Sequence, residues 1–166
     1  MDEIKTGNQP TFSHIDEKND PGMVDVSGKT PTARTATAMT RVKLNQDIMK
    51  AFEQGDIRTK KGAVFQTAII AGTMAVKKTS DLIPLCHGLP IEKCDFEFKR
   101  APEHVEIYCT VKTSAKTGVE MEALTGVSIA ALTVYDMCKA VSHDIIIEET
   151  KLLMKTGGKS DFISGK

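Results

Sequence analysis

The sequence predicts an α+β fold in which one antiparallel sheet is covered on one face by helices. Three observations predict it. Segments 91–98 and 104–113 alternate apolar and polar residues on either side of the turn Arg100-Ala101-Pro102-Glu103, the pattern of a hairpin. The run Ala123 to Val134 is almost uncharged, and Leu124, Val127, Ala131, Val134 and Cys138 follow the three-and-four spacing of a helix face. The order strand, helix, helix, hairpin, long helix, strand shows no internal repeat and matches a sheet with segregated helices. A chain of 166 residues suits one domain with a sizeable core.

The elements follow in order. Residues 1–33 hold three of the six prolines and few large apolar side chains, and read as an extended or disordered arm. Within it, Met23-Val24-Asp25-Val26 is the stretch expected to pin the arm to the body. The domain proper is expected over 34–156. Arg34 to Leu44 is Thr-rich and alternating, a strand with Arg34 at its start. Asn45 is placed to cap a helix over Gln46 to Gln54, which Gly55 ends. Lys60-Lys61-Gly62 is a basic turn leading into a mostly apolar helix, Val64 to Ser80. Asp81 to Pro90 contains two prolines and a glycine, so it is a loop, and an unusually apolar one. The hairpin and the long helix come next. Small residues (Ala123, Gly126, Ser128, Ala130, Ala131) let that helix pack closely on nearly every side. A strand begins at Asp144 to Glu149 and continues through Leu152, Leu153 and Met154. Residues 157–166 read as a flexible tail rich in Gly, Lys and Ser.

The totals exclude several classes. Acidic and basic residues number 22 each, so any anion site must be a local cluster, and nucleic acid is not an expected partner. The absence of Trp weakens base stacking further. No apolar run is long enough to span a membrane. Met1-Asp2-Glu3-Ile4-Lys5 holds no apolar signal core, and the four cysteines form no CxxC pair. Together these predict reduced thiols in the cytoplasm and argue against a zinc knuckle or a disulfide frame.

The chemistry gathers at the ends of the long helix. Glu120 and Glu122 stand at its start. Asp136 and Lys139, at i and i+3 near its end, share a face and reach each other. Charge at the end of a buried helix is costly unless it is paired or used. Glu122 and Asp136 are fourteen residues apart, roughly 21 Å along a helix. They cannot grip one atom within one chain. Either they contact the far ends of a long ligand, or neighbouring subunits complete each other's sites. His87 is the one histidine in an apolar loop. Cys86 beside it points the opposite way in extended chain, so the two do not form a Cys–His couple or chelate one metal. Gly157-Gly158-Lys159-Ser160 looks like the end of a phosphate loop, but the required earlier glycine is Leu153 and no helix follows. Arg34, Lys61 and Lys116 are scattered; gathered, they would bind a multiply charged phosphate.

Asp81-Leu82-Ile83-Pro84-Leu85-Cys86-His87, Lys116 to Thr125, Tyr135-Asp136-Met137-Cys138-Lys139-Ala140 and Gly157 to Ser160 closely resemble the cyclic pyranopterin monophosphate synthases of molybdenum cofactor biosynthesis, over about Met23 to Ser160. The resemblance implies a ferredoxin-like subunit in a homohexamer, a trimer of dimers with active sites between subunits. It implies a lyase that converts 3′,8-cyclo-7,8-dihydroguanosine 5′-triphosphate to cyclic pyranopterin monophosphate and diphosphate, with no organic cofactor and no metal site. By the same resemblance Asp136, Lys139 and Lys61 are the catalytic residues. Leu85, Cys86, His87, Glu120, Met121, Glu122, Arg34 and Lys116 are the substrate-binding ones. Gly88 departs from the family's usual Pro and should loosen the His87 loop; the turn Ser142-His143 also departs from the common form. A lysine lowered by burial, or a histidine, is the expected acid or base. Lys61 and Lys139 are the candidates, with Asp136 setting the charge state of Lys139, and His87 and Glu122 hold or protonate the substrate's base. A non-catalytic pterin carrier and a structural oligomer are the alternatives; neither needs reactive side chains at several separate motifs.

Overall fold

A computed structural model describes residues 20–165. The arm's first nineteen residues, read as extended or disordered, lie outside the described residues. At the centre runs β1 (Thr32–Lys43), flanked by β6 (His104–Ala115) and β7 (Ile146–Thr156). With β5 (Lys93–Arg100) and β8 (Phe162–Ile163) they make one antiparallel sheet in the order β5-β6-β1-β7-β8. The β1–β6 register runs unbroken from Thr32 opposite Ala115 to Lys43 opposite His104. On β6 the alternation is clean: Val105, Ile107, Cys109 and Val111 are fully buried, whereas Glu106, Tyr108 and Thr110 face the other side.

Two helices cover the buried face, α2 (Val64–Lys77) and α4 (Glu120–Cys138). They pack on each other, and α4 crosses β1, β6 and β7. Small residues set the spacing. Ala36 and Ala38 on β1 and Ala123, Ala130 and Ala131 on α4 are fully buried. At the helix crossing, a Cβ on Gly72 would stand 2.5 Å from Phe96 Cζ and 3.0 Å from the Gly126 carbonyl oxygen. The α+β class and its ferredoxin-like layering are therefore as expected.

The largest departure lies between Asn45 and Val64. The helix expected over 46–54 is a single turn, α1 (Gln46–Met49), with Asn45 Oδ1 accepting from the Ile48 amide at 3.0 Å. The chain then forms a small ribbon of β2 (Phe52–Glu53), β3 (Asp56–Thr59) and β4 (Gly62–Ala63). Gln54 and Gly55 turn with positive φ, 49° and 82°. Burial of Ile57, and of Phe52 and Phe98 against either side of Phe65, outweighs a weak local helix preference. The ribbon has a second consequence. Ala63 gives α2 no side-chain cap, and the buried Asp56 supplies one from β3. Its carboxylate accepts from the amides of Ile57 (2.6 Å), Phe65 (2.8 Å) and Gln66 (3.2 Å).

Two ends also differ. The helix expected to reach Ser80 stops at Lys77, and a separate turn, α3 (Thr79–Leu82), follows. Residues 157–166, expected as a flexible tail, contain β8, whose Phe162 and Ile163 pair with Lys155 and Met154 of β7. Gly157 makes that return possible. Its φ is +84°, and a Cβ there would run into the Ala33 carbonyl oxygen.

Candidate active site

Two cavities open side by side around the start of α4. The first, about 490 Å³, is cationic: Arg34, Lys116, Lys155 and Lys159 line it, with Thr32 and Gly158. Arg34 reaches it from β1, its Nε donating to the Ala115 carbonyl at 3.4 Å. Lys116 Nζ donates to the Ser27 carbonyl at 2.8 Å, which ties the arm to the rim. Lys155 Nζ pairs with Glu120 Oε1 at 3.0 Å. Gly118 allows that pose, since a Cβ there would occupy the position of the Glu120 carboxylate.

The second cavity, about 500 Å³, mixes apolar and polar walls around one buried acid: Leu85, Cys86, His87, Met121 and Glu122 line it, with Val24 and Val26 of the arm and Lys29 and Lys159. Glu122 is 4% exposed. Burial pushes its carboxyl up to about 6, with a smaller push from Glu120. The Cys86 thiol is raised by burial and then by the charge of Glu122. Lys29, Thr117, Gly118, Glu120 and Lys159 line both cavities, so the two are halves of one cleft. One half suits a chain of phosphates and the other a flat, hydrogen-bonding ring.

The far end of α4 carries a separate cluster. Asp136 Oδ1 is 2.8 Å from Lys139 Nζ, and its Oδ2 is 2.9 Å from Lys61 Nζ. Lys61 Nζ also donates to the Asp136 carbonyl at 2.9 Å, which fixes the turn before α2 against the end of α4. Hydrogen bonds from Lys139 and then Lys61 pull the Asp136 carboxyl down to about 2. In return, Asp136 raises Lys139. Within one chain all three side chains are about half exposed, and Asp136 sets the charge state of Lys139, favouring the cation.

Each named site residue is thus in one of two groups. Arg34, Leu85, Cys86, His87, Lys116, Glu120, Met121 and Glu122 surround the cleft, and Lys61, Asp136 and Lys139 cluster at the opposite end of the same helix. A single chain does not bring the groups together, because α4 is continuous between them. Three cleft lysines are not among the site residues that the sequence named. Lys29 sits in a segment taken for a loose arm, and Lys155 looks like any strand lysine. Lys159 belongs to Gly157-Gly158-Lys159-Ser160, which fails as a phosphate loop but leaves a Lys/Gly tail able to close over a phosphate.

A family model described as the MoaC family matches residues 23–158. The cyclic pyranopterin monophosphate synthase of Xanthomonas oryzae pv. oryzae is 55% identical over 151 residues, 90% of this chain and 92% of its own. That of Peptoclostridium acidaminophilum is 48% identical over 149 residues, 90% and 94% of the two chains. A molybdenum cofactor biosynthesis bifunctional protein of Synechocystis sp. is 55% identical over 155 residues, covering 90% of this chain and 45% of that longer one.

Proposed function

The chain belongs to the MoaC family, and from that premise we infer that it catalyses the reaction of a cyclic pyranopterin monophosphate synthase, a lyase step of molybdenum cofactor biosynthesis. The observation that supports this most is the two-part cleft. The substrate we assign is 3′,8-cyclo-7,8-dihydroguanosine 5′-triphosphate. Its triphosphate would lie in the half lined by Arg34, Lys116, Lys155 and Lys159, and its guanine-derived rings in the half lined by Leu85, His87, Met121 and Glu122. The reaction opens the five-membered ring of the base and rebuilds it as a pterin. It also closes one phosphate onto the sugar as diphosphate leaves. The basic half would neutralise the charge that builds on the leaving diphosphate. A carboxyl near 6, such as that of Glu122, both takes and gives a proton near neutral pH.

Lys61, Asp136 and Lys139 would enter the same site from a neighbouring subunit, in a hexamer built as a trimer of dimers. A two-fold interface lets each chain lend one end of α4 to its partner. There Asp136 would hold the two lysines in position, with Lys139 kept as a cation that meets the phosphates. The protein would work in the cytoplasm; among the described residues no helix is long and apolar enough to cross a membrane.

Mixed assemblies test both parts. Glu122→Gln and Asp136→Asn chains carrying different tags are co-expressed, and assemblies holding both are purified. Each variant alone should be inactive. Mixed assemblies should regain about one quarter of parental turnover if chains pair at random and about one half if every two-fold pair holds one chain of each kind, because each shared site draws one residue set from each chain. Verified mixed assemblies without activity would rule out shared sites. A parental protein that forms no pterin, read by fluorescence after oxidation, would rule out the reaction itself.

A further inference from the structure

Away from the cleft, β5 and β6 carry two cysteines on the side facing the helices. Cys94 lies opposite Val111 and Cys109 opposite Phe96, so the two are diagonal neighbours across the ladder. Their sulfurs are 3.8 Å apart. We infer that Cys94 and Cys109 form a redox-active dithiol, a modification site that a peroxide converts to an intramolecular disulfide.

The pair is unequal in the way such chemistry needs. Cys94 is half-buried on the edge strand, whereas Cys109 is fully buried. A Cβ on Gly126 would stand only 3.0 Å from Cys109 Sγ, so α4 sits directly on that sulfur. Hydrogen bonds from Cys109, and also from Thr73 of α2, lower the Cys94 thiol. The Cys109 thiol is raised by its bond to Cys94 and by burial. Cys94 is then the attacking sulfur and Cys109 the resolving one.

The steps balance. The Cys94 thiolate attacks one peroxide oxygen and breaks the O–O bond, giving a sulfenic acid and, after protonation of the departing oxygen, water or an alcohol. The Cys109 sulfur attacks the sulfenic sulfur, and the hydroxyl leaves as water with the Cys109 proton. Two thiols lose two electrons and two protons, and the peroxide takes up both. The sulfurs must close to about 2.05 Å, and because diagonal partners stand about 7–8 Å apart at Cα, the edge strand β5 must shift toward β6 as the bond forms. The other two cysteines lack this arrangement. Cys86 faces the substrate cleft, and Cys138 is fully buried with its thiol pushed up to about 11 by burial. The bond would tie the edge strand to the sheet seven residues after His87, at the root of the loop that lines the cleft.

The experiment treats reduced full-length protein with one equivalent of hydrogen peroxide, blocks remaining thiols with N-ethylmaleimide, and maps peptides by mass. The expected result is loss of two of the four thiols. They should be recovered as one peptide pair joined through Cys94 and Cys109, and dithiothreitol should restore them. A Cys109→Ala variant should instead stop at a Cys94 sulfenic acid that a 1,3-dione traps. Oxidation that goes to Cys86, or that leaves Cys94 as a sulfinic acid in the parental protein with no joined peptide, would overturn the inference. The parental peptide map decides even if the variant does not fold.

Discussion

Glu122 is an acid in surroundings that carboxylates usually avoid. A carboxyl 4% exposed is costly to ionise. Its folded value of about 6 stands above the ordinary 4.5. The stability it contributes is therefore present in full below about pH 4.5 and is lost as pH rises through about 6. Glu122→Gln should remove that loss. At pH 8 the variant should be more stable than the parent by about 2 kcal/mol, and at pH 4 the two should be equal, as read from urea unfolding at both pH values. An equal gain at both would show that ionisation of Glu122 is not the cause. Turnover should be lost in the same variant. At this scale the sequence was legible wherever partners lie on one element: Asp136 and Lys139 at i and i+3 do meet at 2.8 Å. Lys61, 75 residues away from Asp136, gave no local sign that it would complete the trio.

At the scale of elements, α2 and α4 meet where each has a glycine. Gly72→Ala would raise helix propensity by about 1 kcal/mol. It would also place a methyl group within 2.5 Å of Phe96 Cζ and 3.0 Å of the Gly126 carbonyl oxygen, which cannot retreat without moving α4. Overpacking of this kind costs about 1–3 kcal/mol, so the net effect should be a loss of about 1–2 kcal/mol. Thermal unfolding checks it, and a gain would mean the helices separate more easily than their packing implies. Long periodic elements were readable. The alternation of β6 and the apolar face of α4 each persist long enough for one face to be buried throughout. The ribbon β2–β4 was not readable, because its strands are two to four residues long and are held by aromatic contacts to distant chain.

For the molecule as a whole, the two reactive groups stand at opposite ends of one helix, and the proposed function needs them joined between chains. Ile70 and Met74 of α2 and Leu132 of α4 are each more than half exposed in a single chain. If sites are shared, turnover per chain should fall when dilution separates subunits, in step with the loss of assembled mass. Turnover unchanged in fully separated chains would place the whole site within one subunit.

The sequence by itself determined the α+β class, the long strands and helix, and the motifs that resemble a known family. These depend on periodicity and on residue type, which are local properties. Only the tertiary structure decided which charges from separate segments meet. It brought Lys29, Lys155 and Lys159 to the cleft, set Lys61 on Asp136, lent Asp56 to the start of α2, and laid Cys94 beside Cys109. Those contacts join segments distant in the chain, and their partners are chosen by strand register and helix packing, which no local pattern encodes.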